Sequence, residues 1–299
     1  MIVTAFFRFV DLTGKVEDLR RELLDLEGLK GLILLAEEGL NGMAAGEAED
    51  IEKLKALMES KIEFQGLEYK DSHCPDIPFS RWKIDVRRQI IMYKDGYRPT
   101  GKHNHLSPSE WHEVLTGDEP VTVLDTRNHY ETQVGLFKDA VDPNIEKFTD
   151  FADYLDSCEL PKDRKTLIYC TGGIRCEKAI LDMEERGFKD VYQLDGGILK
   201  YMEEFPNEEF EGECFVFDHR VALDQSLAPS SQYWICPHCG DPGDVELDCG
   251  YCEKKAKVCQ NCAPKSPTCS KNCAYHWRRL QTSSAVSYTH LTLPTTPYV

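Results

Sequence analysis

Long apolar runs are missing from this sequence, and no segment approaches the ~20 residues that a membrane-spanning helix needs. The first residues, Met1 to Arg8, also lack the basic start and the long apolar centre of a signal peptide. These two absences argue against a membrane protein or a membrane partner, and they predict a cytoplasmic protein.

Signatures of organic redox cofactors are missing as well. The sequence has no Gly-rich dinucleotide fingerprint and no evident flavin site. It also lacks a recognisable set of two histidines and a carboxylate, which would predict a non-haem iron centre. We therefore expect neither NAD nor flavin as a cofactor.

Positive charge is scarce, since 35 lysines and arginines face 52 acidic residues and the net charge is −17. Such a balance argues against unspecific binding to nucleic acid. The acidity is concentrated between residues 101 and 220. If the partner is a nucleic acid, the flanking regions must supply most of the electrostatic attraction.

Cysteine, in contrast, is abundant. Thirteen cysteines in a chain predicted to be cytosolic favour metal or redox chemistry over a disulfide framework. Most of them fall between residues 236 and 273, which separates that region from the rest of the chain.

The segment around Cys170 has the pattern of a strand, a tight loop and a helix. An apolar run ends at Cys170, and a segment with helical periodicity reaches Arg186. A thiol at the start of a helix faces unpaired N–H groups and the positive end of the helix dipole, which favour the thiolate. The loop can therefore hold a small anionic group near the sulfur, using Thr171, Gly172, Gly173, Ile174 and the guanidinium of Arg175.

The length of this loop distinguishes two chemistries. Thiol phosphatases use Cys-x5-Arg, whereas Cys170 and Arg175 form the tighter Cys-x4-Arg, which suits a sulfane sulfur. At this point the sequence resembles the rhodanese family, whose loop cysteine carries a persulfide. The alternative interpretation is a buried, inert cysteine at a strand end.

A second apolar run, from Val121 to Leu124, predicts a buried parallel strand that ends in polar residues. Rhodanese-like domains carry Asp-x-Arg and a later acidic residue here, and Asp125, Arg127 and Glu131 match. We expect Asp125 and Arg127 to form a structural ion pair that supports the loop. The resemblance implies a rhodanese-like α/β domain with a parallel sheet over residues 108–212.

Residues 1–96 predict a domain of the α+β class. Strands are expected at 2–10, 31–36, up to Ala45, 62–64 and 82–93. Helices are expected at 16–27 and, after Ala45, through Ile51, Leu54, Leu57 and Met58. The order βαββαβ is that of a ferredoxin-like domain.

The densest basic stretch of the chain lies at residues 81–98. Alternation along a strand would place Arg81, Lys83 and Arg87 on one face, and with Arg88 they are candidates for binding an RNA backbone. The alternative is a solvated sheet edge that its charges protect from aggregation.

Residues 97–107 predict a linker. His103 and His105, which lie in it, are candidates for ligands or catalysts, although histidines in a polar linker are usually solvated.

The third region, residues 213–281, is predicted to be a zinc-binding module. Four short-spaced pairs supply eight thiolates, enough for two tetrahedral sites: Cys236 and Cys239, Cys249 and Cys252, Cys259 and Cys262, Cys269 and Cys273. Few aliphatic residues are present, so the metal would replace a core. An iron–sulfur cluster or redox disulfides are the alternatives, and His238 or His276 lies close enough in sequence to substitute for a cysteine. Spacing does not determine which pairs share an ion.

The last segment, residues 282–299, shifts abruptly to Thr, Ser and Pro. It resembles a translated adaptor or read-through sequence, and we predict a disordered, non-native tail.

Five segments together resemble the family of tRNA uridine hydroxylases called TrhO: Ile33 to Gly42, Leu124 to Glu131, Gly135 to Pro143, Tyr169 to Ala179 and Gly212 to Asp218. The resemblance implies an oxidoreductase that hydroxylates the wobble uridine of tRNA at C5, with molecular oxygen as co-substrate and the anticodon region as the contact. By motif, Cys170 is the essential cysteine. Cys176 either resolves a sulfenate or persulfide on Cys170 or has only a structural role.

From the residues themselves, a nucleophilic thiolate is the expected chemistry. We hypothesise that the Cys170 thiolate adds to C6 of uridine and makes C5 electron-rich. Two other classes stay open: a sulfurtransferase that works through a Cys170 persulfide on thiosulfate, and a non-catalytic scaffold that uses the zinc module and the flanks.

Overall fold

The computed structural model describes residues 1–101 and 103–283, and the chain divides into two compact units. The first unit comprises residues 1–231 and the second begins at Gln232. Within the described residues, none of the helices combines the length and the apolar character that crossing a membrane requires.

The first unit opens with a five-stranded sheet covered by two helices. The elements are β1 Ile2–Phe9, α1 Val16–Leu24, β2 Lys30–Ala36, β3 Gly39–Gly46, α2 Ala48–Glu59, β4 Lys70–His73 and β5 Trp82–Val86. The strand order is β4-β1-β3-β2-β5. Only β5 runs parallel to its neighbour β2, and the other pairs are antiparallel. The elements β1 to β4 have the order βαββαβ, but the last strand of this order is Lys70–His73, which was not predicted, and β5 adds an edge strand.

Both helices pack one apolar stripe on this sheet. In α2 the buried residues Ile51, Leu54 and Met58 follow helical spacing, and in α1 Leu19 and Leu23 do the same. They join the apolar side chains of the strands in one core. The helical periodicity of the apolar residues in the sequence therefore determines which helix faces form the core of this domain.

One strand prediction in this domain is wrong, and a second one is too long. Ile62–Phe64 is a short 3-10 helix in which Phe64 is buried and Ile62 is exposed, so it has no partner strand. The strand predicted at 82–93 ends at Val86. The Arg87 N–H still donates to the Leu35 carbonyl of β2, whereas the Ile90 N–H donates to a side chain, Glu38 Oε1, at 2.8 Å.

The second half of the first unit is an α/β domain. Its elements are β6 His105–Leu106, α3 Pro108–Thr116, β7 Thr122–Asp125, α4 His129–Thr132, β8 Gly135–Phe137, α5 Phe151–Ser157, β9 Thr166–Tyr169, α6 Ile174–Glu185, β10 Val191–Leu194 and α7 Gly197–Glu204. The parallel sheet has the order β6-β10-β9-β7, which confirms the predicted parallel sheet. The predicted linker 97–107 therefore contains a strand of this sheet.

Three short strands complete the first unit: β11 Phe210–Gly212, β12 Cys214–Phe215 and β13 Ala222–Leu223. Strand β11 pairs with β8, and β12 pairs with β13. The sequence placed the start of the Cys-rich module at residue 213, whereas the second unit starts at Gln232.

The second unit contains β14 Trp234–Ile235, β15 Pro242–Gly243, β16 Val245–Asp248, β17 Lys255–Val258 and α8 Lys271–Ser283. It is built from the hairpins β14–β15 and β16–β17. Helix α8 extends two residues into the segment predicted as a non-native tail. The remainder of that segment, 284–299, lies outside the described residues.

Candidate active site

Cys170 lies directly after β9, and its loop leads into α6 as predicted. The residue is only 1% exposed. The Gly173 N–H donates a hydrogen bond to Cys170 Sγ at 3.0 Å. Gly173 has a φ of 103°, in the left-handed region that favours glycine, and this conformation turns the loop into the first turn of α6. The sulfur is thus held at a helix start, facing a backbone amide.

The turn before α7 supports the loop from its other side. The N–H groups of Ile198 and Leu199 donate to the carbonyls of Cys170 and Thr171. A Cβ on Gly197 would lie 2.6 Å from the Cys170 carbonyl oxygen, so only glycine permits this approach. The Asp-Gly-Gly segment after β10 therefore fixes the backbone that carries the thiol.

The environment of Cys170 favours the thiolate. Burial alone would raise its pKa, but three interactions outweigh burial and lower the pKa to about 5. They are the hydrogen bond from the Cys176 thiol, the charge of Arg175, and the backbone N–H groups of Gly173 and Arg175. At neutral pH the Cys170 sulfur is therefore a nucleophile.

Cys176 is the protonated partner in this pair. Burial and the hydrogen bond to Cys170 raise its pKa well above the ordinary thiol value. Its sulfur also lies 3.6 Å from Thr126 Oγ1, and that hydroxyl donates to the Tyr169 carbonyl at 2.9 Å. Thr126 is a residue that the sequence interpretation missed, although it lies in the Asp-x-Arg motif.

Arg175 is bound by a carboxylate. Its Nη1 and Nη2 lie 2.6 and 2.8 Å from the two oxygens of Glu131, and both side chains are buried. Glu131 also accepts from the Asn128 N–H at 3.1 Å, which holds the start of α4. The guanidinium is therefore fixed, as predicted, and the acidic residue of the motif is what fixes it.

Asp125 and Arg127 form the expected ion pair. Arg127 donates to both oxygens of Asp125 and, at 2.6 Å, to the Gly135 carbonyl. Both side chains are completely buried. The pair joins the end of β7 to the start of β8, which supports the structural role.

A third buried ion pair joins the two halves of the first unit. Lys178 Nζ of α6 lies 2.9 Å from both carboxylate oxygens of Glu38, which stands in the turn between β2 and β3. Lys178 also donates to the Ile91 carbonyl at 3.1 Å. The Glu-Gly-Leu-Asn-Gly segment was recognised only as part of the resemblance, and the role of Glu38 was not foreseen.

A cleft of about 240 Å³ opens beside the Cys170 loop. One side is formed by Gly172, Gly173 and the Asp195–Gly196 turn, and the other by β1 and β4 of the N-terminal sheet. Its wall from the N-terminal half includes Phe7, Phe9 and Lys70. The N-terminal domain therefore forms half of the candidate site, and no pattern in the sequence predicts this.

The two linker histidines both contact carboxylates. His105 Nε2 lies 3.0 Å from Glu177 Oε1, with both side chains largely buried, and His105 lines the cleft. His103 Nε2 lies 2.8 Å from Glu184 Oε1, and its side chain is 43% exposed. The expectation of a solvated histidine is therefore wrong for His105, because residues 105–106 form an edge strand against β10.

The basic stretch lies at the β5 edge of the N-terminal sheet. Lys83 and Arg87 flank Asp85 at 2.6 and 2.7 Å, which confirms that they share a face. Arg88 is paired with Asp95 at 2.5 Å, and Arg81 is exposed. Acidic neighbours therefore neutralise much of this stretch.

The eight cysteines of the second unit converge in two groups that interleave along the chain. One group comprises Cys236, Cys239, Cys259 and Cys262, and the other Cys249, Cys252, Cys269 and Cys273. In each group the sulfur atoms lie within 4.8 Å of one another. The first pair thus shares a site with the third, and the second with the fourth. His238 bonds to the Thr268 carbonyl and His276 stacks on Tyr251, so neither belongs to a group.

These distances fit a tetrahedral metal ion. A zinc ion with Zn–S bonds of about 2.3 Å places its sulfur ligands roughly 3.8 Å apart. The Cys269–Cys273 and Cys252–Cys273 sulfur separations are 3.6 and 3.8 Å. Both groups can therefore hold a metal ion.

Comparison with known proteins gives three family matches along the chain. Residues 1–90 match the family described as "UPF0176 acylphosphatase like domain", 107–204 match "Rhodanese-like domain", and 211–274 match "Rhodanase C-terminal".

Whole-chain relatives are also found. A tRNA uridine(34) hydroxylase of Bdellovibrio bacteriovorus is 44% identical over 91% of this chain and 80% of its own length. One of Agrobacterium fabrum is 41% identical over 82% of this chain and 81% of its own length. Among solved structures, a rhodanese-like domain protein of Staphylococcus aureus is 23% identical, with a TM-score of 0.28 over 33% of this chain and 91% of that chain.

Proposed function

The chain belongs to the tRNA uridine(34) hydroxylase family, and from this premise we propose that it hydroxylates C5 of the wobble uridine of tRNA with molecular oxygen as co-substrate. The observation that carries the proposal is the 44% identity to a relative of that name over 91% of the chain. The site adds an independent argument, because Cys170 lies at a helix start with its pKa lowered to about 5.

In this proposal Cys170 is the nucleophile. Its thiolate adds to C6 of the uracil ring, a C–S bond forms, and the electron pair of the C5–C6 double bond moves toward C5 and the C4 oxygen. C5 then becomes the electron-rich carbon that meets oxygen. Arg175 and the loop 171–174 stabilise the thiolate before addition, and the Asp125–Arg127 pair keeps the loop in place.

The tRNA is proposed to approach through its anticodon region, because the target uridine lies there. Arg81, Lys83, Arg87 and Arg88 are proposed contacts for the RNA backbone, and the three arginines are exposed. A cytoplasmic location, where tRNA is found, remains a prediction from the sequence.

We further propose that the two cysteine groups bind structural zinc. All eight ligands are thiolates, as in closed structural sites. The core of the second unit contains only a few aliphatic side chains, such as Val258. Zinc would therefore supply cross-links that hold the module in one fold.

The proposed activity is tested by mass spectrometry of nucleosides from total tRNA. Cells without their own wobble-uridine hydroxylase would express the protein, its Cys170→Ala variant, or the Cys158→Ala variant as the matched control outside the site. We expect 5-hydroxyuridine derivatives with the first and third proteins only. If none of them forms the product while the purified protein converts thiosulfate to sulfite, the chain is a sulfurtransferase.

A further inference from the structure

The cleft beside Cys170 brings together a loop of the α/β domain and a sheet of the N-terminal domain. A Cβ on Gly173 would lie 3.6 Å from Phe7 Cζ, so β1 touches the loop directly. Lys70 of β4 lies next to β1, paired with Ala5. Any group that reaches the Cys170 sulfur through this cleft therefore passes the side chains of Phe7 and Lys70.

Lys70 is a half-buried cation without an anionic partner at contact distance. Its Nζ lies 5.2 Å from the centre of the Phe7 ring, within range of a cation–π interaction. Within the part of the chain that the structure describes, Lys70 makes no ion pair within 4.0 Å. A partly desolvated charge of this kind is unfavourable unless something binds it. Lys70 is therefore available to a ligand.

The other cations near the loop are already bound. Arg8, which also lines the cleft, donates to the carbonyls of Gln65 and Gly66. Arg175 is held by both oxygens of Glu131. Among the described residues that line this cleft, Lys70 is thus the cation that can bind a negative charge developing on a substrate.

The electrostatic interactions of Lys70 agree with this position. Burial lowers its pKa most, and Lys200 lowers it further, whereas Glu68, Cys170 and Asp195 raise it. The Cys170 sulfur and the Lys70 ammonium therefore influence each other across the cleft.

We propose that Lys70 is a catalytic residue that the N-terminal domain contributes to the active site, where its ammonium binds the oxygen that becomes negative when Cys170 attacks a uracil ring. This inference rests on the proposed function. In the addition step the S–C6 bond forms, the C5–C6 π pair becomes the new C4–C5 π bond, and the C4 carbonyl pair moves onto oxygen. The negative charge passes from sulfur to that oxygen, where Lys70 donates a hydrogen bond. No oxidant is consumed in this step, and elimination of the thiolate reverses it.

The test compares Lys70→Met and Lys70→Arg with Lys30→Met as the control, because Lys30 is an exposed lysine in the same sheet. Initial rates of 5-hydroxyuridine formation on unmodified tRNA are measured first. We expect Lys70→Met to lose about 100-fold, the typical effect of removing one donor to an oxyanion. Lys70→Arg should recover part of the rate, and Lys30→Met should match the unchanged protein.

The second measurement is alkylation of Cys170 by iodoacetamide as a function of pH, followed by peptide mass spectrometry. The titratable and charged groups that interact with this thiol are Lys70 of β4, Arg175 and Cys176 of α6, and Cys214 of β12. Loss of the Lys70 charge should slow alkylation roughly 3- to 5-fold at about pH 5, near the pKa of the thiol, and arginine should restore the rate. A purely structural lysine would not move this profile.

The two measurements separate the two proposals. If the unchanged protein forms no 5-hydroxyuridine, the proposed function fails, while the alkylation profile still decides whether Lys70 acts on Cys170. If the protein is active and Lys70→Met keeps both its rate and its profile, the inference about Lys70 is overturned. Should Lys70→Met fold poorly by its melting temperature, Lys70→Gln, which keeps a polar end, serves the same comparison.

Discussion

The reactivity of Cys170 depends on a second thiol. The hydrogen bond from Cys176 is the foremost of the interactions that lower the pKa of Cys170. Hydrogen bonds to charged groups contribute about 1.5–3 kcal/mol, and a tenfold change in thiolate population corresponds to roughly 1.4 kcal/mol. The protonation state of Cys170 therefore depends on the thiol of Cys176.

We predict that Cys176→Ala raises the pKa of Cys170. The thiolate, which now persists down to about pH 5, would then be lost at a higher pH as the solution is acidified. Alkylation of Cys170 at about pH 5 should slow roughly tenfold, with little change above pH ~9, where Cys170 is ionised in both proteins. Cys158→Ala should leave the profile unchanged. Superimposable profiles for Cys176→Ala and the unchanged protein would contradict this account.

Arg175 gives a prediction about stability. Glu131→Gln leaves the guanidinium buried without its counter-charge, and breaking a buried pair in this way typically costs about 3–5 kcal/mol. We expect the free energy of unfolding, measured in urea, to fall by that amount. Glu119→Gln removes a carboxylate that is 85% exposed, so its effect should stay within about 0.5 kcal/mol. Equal effects of the two substitutions would show that the buried pair adds nothing.

The sequence predicts the elements that local patterns determine, and it misses the strands that form only by pairing with distant segments. The strand, loop and helix around Cys170 follow from an apolar run, two glycines and a periodic segment. Strand β4, Lys70–His73, has no apolar alternation and is a strand only because it pairs with β1. Strand β6 has two residues and depends on β10 in the same way. Lys70 and His105 were therefore not assigned to the site, because long-range pairing brings them there.

The Glu38–Lys178 pair is the clearest case of such a long-range contact. No local pattern connects these residues, yet they fix the turn between β2 and β3 against α6, the helix that starts at the Cys170 loop. The pair is almost fully buried. It therefore sets how the N-terminal sheet faces the loop.

We predict strong coupling in a double-mutant cycle of this pair. Glu38→Gln and Lys178→Met should each destabilise the protein by about 3–5 kcal/mol, because each leaves the partner's charge or polar group buried alone. The double variant should lose much less than the sum, since both charges are gone. Thermal and urea unfolding of the four proteins measure the cycle. Additive losses would mean that the two side chains act independently.

For the whole molecule, the cysteine spacing predicted the number of sites but not their connectivity. Four pairs can be combined into two sites sequentially, crosswise or nested, and spacing treats the three arrangements alike. The folded chain combines them crosswise. The two pairs of each group lie about 20 residues apart along the chain, and one pair of the other group lies between them. In a crossed arrangement, each metal ion closes a loop of the chain that contains two ligands of the other ion.

Crossed connectivity predicts an unusual result for zinc content. The unchanged protein should contain about two zinc ions by inductively coupled plasma mass spectrometry after mild chelator dialysis. In the double variant Cys236→Ser/Cys259→Ser both substitutions fall in one group, so about one zinc ion should remain. In the double variant Cys236→Ser/Cys249→Ser each group loses a ligand, so the chelator should remove both ions. Sequential pairing predicts the reverse for the same two variants. Because both variants lack two cysteines, general damage to the module would affect them alike, and only the connectivity of the sites separates their zinc contents.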